Sequence, residues 1–321
     1  MCKISVLMSI YNENDKEIYE AFTSILNQTF ANFELIVVVD NPQITLFSEH
    51  LKELGISDKR IKIIYNDVNI GLAESMNKAF AISRGCYIAR MDADDVAYPT
   101  RFQEEIQVLD REYDLVCSDY ILIDENSKEI NKKITSYSNE TLEQDLEYGN
   151  IIHHPTVMMT REIFEKSNGY RNFPCSQDYD LWLRIHEIGG RFAIINKPLL
   201  KYRIRANSIT ESKSFKQIAT IWYIQKLHKE RQMFGKDSYS LAQYDEYLTK
   251  LRLNDEQFIK ECEVAKSYKK KIDDAKNQNK IKAVSMMIKL SIVNSFYRKL
   301  YIHNLREIIG MKMNRKKLGR G

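Results

Sequence analysis

The chain has 321 residues, enough for one large domain or a domain with an appendage, and 44% hydrophobic against 29% charged residues allow a packed soluble core. Eleven Gly and five Pro exclude a repeat or low-complexity protein, and no run approaches the roughly 18 apolar residues of a membrane span. The formal net charge is +4, but residues 266–321 hold 16 Lys+Arg and 3 Asp+Glu, so a body of net −9 precedes a tail of net +13.

The elements follow in chain order. "ISVLMSI" (4–10) and "FELIVVV" (33–39) are short β-branched runs of the kind found in buried parallel strands. Between them Ile18, Phe22, Ile25 and Leu26 have helical spacing, behind Asn14 and Asp15 as cap candidates. "IKIIY" (61–65) predicts a third strand, then a helix over 72–83 stopped by Gly85. "CYIARM" (86–91) and "LVCSDYILI" (115–123) predict a fourth and fifth strand, and residues 154–170 a short strand and helix. "SQDYDLWLRIHEIGG" (176–190) predicts a helix capped by Ser176, with Asp178 in its first turn on the face of Leu181, Trp182 and Ile185. Strand–helix alternation implies an α/β fold: a mostly parallel sheet with helices on both faces. Beyond about residue 210 only helical patterns remain, which divides the chain into a domain over 1–210 and a helical, basic region over 211–321. "MCKISVLMSIYN" lacks the pattern of a secretory signal, and five scattered cysteines (Cys2, Cys86, Cys117, Cys175, Cys262) form no C-x-x-C pair. A cytoplasmic chain with reduced thiols is expected.

In such sheets ligands bind beyond the carboxyl ends of the strands. That edge receives "SIYNEN", "VVDN" and "MDADD", so Asp40 and the cluster Asp92, Asp94 and Asp95 converge on one crevice. An acidic cluster can be a solvated loop. At a strand's carboxyl end it also suits Mg²⁺ or Mn²⁺ bound with substrate phosphates. On an extended segment Asp92 and Asp94 point the same way, and Asp95 turns elsewhere, toward backbone amides or a basic group. A metal-bound diphosphate would neutralise the cluster.

These residues carry a resemblance. From "ISVLMSIYNEN" through "ILNQTFANFELIVVVD", "NIGLAESMNKAFAISRGCYIARMDADD", "HHPTVMMTREIFEKSNGY" and "QDYDLWLRIHEIGG" to "YRIRANSIT", residues 3–210 resemble family 2 glycosyltransferases of the GT-A fold, of the bacterial capsule and O-antigen type. The resemblance implies an inverting, metal-dependent hexosyltransferase that uses a nucleotide sugar, UDP-linked, and a saccharide acceptor carried on a lipid. Ser9, Tyr11 and Asn12 would line the uridine site, with Glu13 ordering the loop, and Asp40 would bond the base unless it only closes a strand-end turn. Asp92 and Asp94 match the D-x-D motif that contacts ribose and holds the metal. Asp178 matches the catalytic base, expected to stay ionised under the helix dipole; its bland alternative is a cap or ion pair. Arg203 and Arg205 match a closing loop that approaches the diphosphate. "DNPQ" stands for the commoner D-D-G-S, Ser9 for a frequent proline, Gln177 for the usual glutamate before the base, and Arg205 for a frequent histidine. His153, His154, Gln177 and Trp182 are acceptor-side candidates, though a structural role serves the histidines equally well and the helical spacing of Trp182 favours core packing. Asn77 and Lys78 are donor-side candidates or a solvated helix face.

Two other readings compete. A nucleotidyltransferase would want a glycine-rich basic loop where "SIYNEN" stands, and a non-catalytic sugar-nucleotide-binding subunit would not need Asp178. In the tail, "IKAVSMMIKLSIVNSFYRKLYI" (281–302) predicts a helix that either packs on the first domain or lies on an anionic membrane surface, aided by "KMNRKKLGR". No nucleic-acid reading motif accompanies its charge.

Overall fold

The computed structural model describes residues 3–133, 137–204 and 214–318. It divides into two compact units, Met1–Ser212 and Lys213–Gly321.

Among the described residues the first unit is built on one nine-stranded mixed sheet. Its strands are β1 (Ile4–Ile10), β2 (Phe33–Val39), β3 (Ile61–Tyr65), β4 (Tyr87–Arg90), β5 (Val96–Ala97), β6 (Leu115–Ile123), β7 (Glu129–Lys133), β8 (Met158–Thr160) and β9 (Phe192–Arg203). The order is β3-β2-β1-β4-β8-β6-β9-β5, with β7 on β6. β1 pairs in parallel with both β2 and β4, and β2 with β3. β8 runs antiparallel between β4 and β6, and β9 is parallel to β6. The chain order therefore reverses at the β1–β4 junction, which is where a crevice opens in such sheets.

Burial explains these strands. All seven residues of β2 are buried, as are six of the seven of β1. Glu34 inside β2 is tolerated because Ser5 Oγ, the Arg84 amide and Lys62 Nζ all donate to it. Its carboxyl accordingly stays low, since these donors outweigh burial. Helix α1 (Asp15–Leu26) starts with a reciprocal capping box between Asn14 and Glu17 and buries Ile18, Ala21, Phe22 and Ile25. After α2 (Phe47–Glu53), helix α3 (Leu72–Ile82) ends at Ser83, not through a cap at Gly85. Gly85 has another reason to be glycine: a Cβ there would lie 2.4 Å from the Ser5 amide nitrogen.

Next come α4 (Arg101–Leu109), α5 (Asn139–Leu146), α6 (Arg161–Lys166) and α7 (Gln177–Glu187). Ser176 does occupy the N-cap of α7, but in the left-handed region (φ 56°), and its hydroxyl caps nothing. An N-cap oxygen reaches the first-turn amides only from an extended backbone.

The described residues of the second unit form helices joined by short turns: α8 (Ser214–Phe234), α9 (Leu241–Lys250), α10 (Glu256–Gln278), α11 (Lys280–Val293) and α12 (Ser295–Leu318). Tyr223, Leu227, Leu248, Cys262, Phe296 and Tyr297 are buried in it. The single helix expected over 281–302 is two, because buried Asn294 ends α11 and turns its Oδ1 onto the Phe296 and Tyr297 amides. No helix among the described residues is long and apolar enough to cross a membrane.

Candidate active site

At the carboxyl edge of β1 the chain leaves the sheet through Tyr11 and Asn12. Glu13 folds back and accepts both their amides, at 2.8 and 3.2 Å, and Asn41 Nδ2 donates to the Tyr11 carbonyl at 2.7 Å. The loop is thus held from two sides while the Tyr11 ring stays exposed. Ser9 lies in β1, half-buried, opposite Val38.

Asp40, at the end of β2, is almost wholly buried. Oδ1 accepts from Asn66 Nδ2 (2.8 Å) and the Ile70 amide (2.9 Å), and Oδ2 from the Gly71 amide (2.9 Å). Asp40 therefore anchors the start of α3, where Gly71 sits at φ +82°. One lone pair of Oδ2 remains for a ligand. Lys78 Nζ donates to Asn66 Oδ1 and so supports Asp40 from behind. Asn77 clamps the Tyr170 backbone through both amide groups, a structural duty away from the donor loop.

Beyond β4, oxygens of Asp92, Asp94 and Asp95 lie within 4.8 Å of one another. Asp92 and Asp94 are half-buried and Asp95 is fully buried. Burial first, then the Asp94 and Asp92 charges, hold the Asp95 carboxyl well above its ordinary range. Its Oδ1 accepts the Arg203 amide at 2.8 Å, the backbone partner expected for it. Its Oδ2 is buried with no hydrogen-bond partner. Three convergent carboxylates with a spare buried oxygen fit a hard divalent cation.

Arg203, expected to approach a diphosphate, is placed inside the protein. Its guanidinium is fully buried: Nε donates to the Asp94 carbonyl, Nη1 to the Asp124 and Glu125 carbonyls and Ser127 Oγ, and Nη2 to Glu20. Its donors tie the Asp94 carbonyl to the 124–127 turn and to Glu20, with no exposed face of the guanidinium left over. Arg205 lies outside the described residues.

The sequence reading passed over Arg90, the last residue of β4. It is 3% exposed, pairs with Asp92 through Nη1, and keeps Nε buried with no hydrogen-bond acceptor. Burial alone would lower its pKa, but Asp92 reverses that and holds the charge. Asp178 and Tyr170 also feel this charge. The signal was present in "YIARMD": an arginine inside a buried strand needs an anion close by.

Asp178 is buried in the first turn of α7 and accepts from Asn150 Nδ2 at 2.9 Å. Burial raises its pKa, against the lowering by Asn150, the Tyr179 amide and Arg90. Desolvation thus works against the helix dipole that favours the ionised form. A carboxylate tuned upward, held by an amide and kept near a fixed cation can take a proton from a hydroxyl.

The other candidates are more closely packed. His154 Nε2 and Tyr170 OH share a 2.7 Å hydrogen bond, and burial, then Arg90, push the imidazole pKa well down, so the ring is neutral. His153 stacks on Tyr120 at 4.3 Å and meets Tyr202 edge-on. Trp182 is fully buried, its ring tilted against His154, with no face open to a sugar. Gln177 is buried beside Asp178.

With this geometry known, similarities to other proteins can be weighed. Residues 5–167 match the family model described as glycosyl transferase family 2. The O-antigen biosynthesis glycosyltransferase WbnJ of Escherichia coli is 33% identical over 212 residues, 65% of this chain and 82% of WbnJ. S. aureus TarS in complex with UDP-GlcNAc superposes with a TM-score of 0.56 at 16% identity, over 77% of this chain and 70% of that one, which speaks for the fold alone. An uncharacterized glycosyltransferase of Methanocaldococcus jannaschii is 36% identical over 240 residues, covering 74% of this chain and 83% of that protein. A match of that depth, together with the family model, makes this chain a glycosyltransferase belonging to glycosyl transferase family 2.

Proposed function

We propose that the chain transfers a hexose, with inversion, from a UDP-sugar to a saccharide acceptor carried on a lipid, in surface-polysaccharide synthesis. The observation that carries this reading is the three-carboxylate cluster that follows β4 at the β1–β4 junction, with the Arg90 charge acting on both Asp92 and Asp178. The UDP-GlcNAc complex of TarS and the O-antigen role in the name of WbnJ support the donor and the setting.

In this mechanism Tyr11, Asn12 and Ser9 receive the nucleoside, with Glu13 and Asn41 fixing the loop and Asp40 offering one oxygen to the base. Asp94 and Asp92, with Asp95, would hold Mn²⁺ or Mg²⁺. When bound, that cation offsets the charge that develops on the leaving diphosphate. Asp178 takes the proton of the acceptor hydroxyl as its oxygen bonds to the anomeric carbon and the sugar–phosphate bond breaks. Asn150 aims the carboxylate, and Arg90 keeps positive charge beside both Asp92 and Asp178. Arg203 and Glu20 are positioning residues. The test is UDP release from a panel of UDP-sugars with Mn²⁺ and lipid-linked saccharides. Release from one donor, dependent on acceptor and lost in Asp178→Asn, is expected. Release from none of them would refute the donor class.

A further inference from the structure

We propose that the outward faces of α11 and α12 form a docking surface for an anionic lipid bilayer. On α11, Ile281, Val284, Ile288 and Ile292 follow one stripe at helical spacing and are 53–85% exposed, while Ala283 and Leu290 on the opposite face are buried. On α12, Ile302, Leu305, Ile309 and Met313 repeat the pattern at 48–58% exposed, opposite buried Phe296, Tyr297 and Leu300. Single exposed aliphatics are ordinary. Two continuous stripes on successive helices are not.

The charges say what covers them. Arg298, Arg306 and Lys312 fall on the α12 stripe's own side by helical spacing, and α11 adds Lys282 and Lys289. α11 contains no acidic residue, and the one acid of α12, Glu307, is turned inward to His303 (3.0 Å) and Gln225 (3.3 Å). An aliphatic stripe flanked only by cations fits the boundary between acyl chains and anionic headgroups. A second copy of the chain would bring like charges together, and a nucleic acid would leave the aliphatics uncovered. Neither helix can span the bilayer. The surface therefore holds the protein on the membrane rather than in it.

The test is sedimentation of the full chain with vesicles of phosphatidylcholine alone, or mixed with phosphatidylglycerol. Binding only to the anionic vesicles, weakened by salt, is expected, since charges are screened over about 8 Å at physiological ionic strength. Arg298→Glu, Arg306→Glu and Lys312→Glu together should weaken partitioning roughly tenfold or more. Ile302→Ser, Leu305→Ser and Ile309→Ser together should remove the salt-resistant part. UDP binding, unchanged in both variants, reports intact folding and is independent of the lipid result. Equal binding to neutral vesicles, or none to anionic ones, would overturn the proposal whether or not the variants fold. So would a wild-type oligomer that the serine variant dissolves without any vesicle binding, or retention on duplex DNA in place of vesicles.

Discussion

Arg203 donates its Nε to the Asp94 carbonyl at 2.7 Å while its own amide donates to the Asp95 carboxylate at 2.8 Å. The end of β9 thereby shapes the acidic turn that follows β4. Truncating Arg203 to alanine removes the Nε bond to the Asp94 carbonyl and leaves Glu20 to Lys16, 4.0 Å away. We expect a loss of about 3 kcal/mol by denaturant unfolding, at the low end for a broken buried pair because Glu20 is partly exposed. Weaker Mn²⁺ binding should accompany it. Were Arg203 a phosphate ligand, Arg203→Ala would raise KM and leave the unfolding midpoint alone.

As the proposed base, Asp178 should carry the pH dependence of the chemical step. The base must be ionised, so turnover falls as pH drops through its raised pKa, and the acid limb should lie above that of an ordinary aspartate. Asn150 stabilises the ionised form, so Asn150→Ala should move the limb to higher pH. Asp178→Asn should lower kcat roughly 10²-fold or more with UDP-sugar affinity nearly unchanged. A pH–rate profile for each variant checks both, and an unmoved limb in Asn150→Ala counts against Asp178 as the base.

Asp95 should govern how metal affinity varies with pH. Its carboxyl is held protonated to a higher pH than usual, and a proton there competes with a cation. Mn²⁺ affinity should therefore rise with pH beyond the range where exposed aspartates are already ionised. Asp95→Asn should flatten that rise. Titration calorimetry at several pH values reads it directly.

Much of the architecture was legible because it rests on local patterns. β1, β2 and β6 occupy the expected residues, since continuous β-branched runs have few other fates in a soluble chain. Trp182 packs where its helical spacing pointed. What escaped depends on distance along the chain. β9 carries Asn196, Lys197 and Lys201 among its apolar residues and shows no clean run, and its pairing with β6 is what orders it. Arg203 looked like a loop cation because its partner Glu20 lies 183 residues away. The desolvation of Asp178 was hidden for a similar reason: it depends on tertiary burial, whereas the helix dipole can be read locally.

Asp40 tests how far a ligand-facing residue is also committed to the fold. Asn in its place would turn an amide donor toward donors that now find an acceptor, costing about 1–3 kcal/mol. Asp40→Asn should thus lower the melting temperature and weaken UDP binding together. A variant that loses UDP with its melting temperature intact would limit Asp40 to the base.

The central claim is that Asp92, Asp94 and Asp95 hold a divalent cation against a nucleoside diphosphate. Calorimetric titration of UDP into the full chain, with Mn²⁺ and then with EDTA, tests it without knowledge of the acceptor. The account predicts binding in Mn²⁺, at least tenfold weaker binding in EDTA, and the same loss for Asp94→Ala in Mn²⁺ with an unchanged far-UV spectrum. Equal UDP affinity in Mn²⁺ and EDTA, or full affinity in Asp94→Ala, would contradict it.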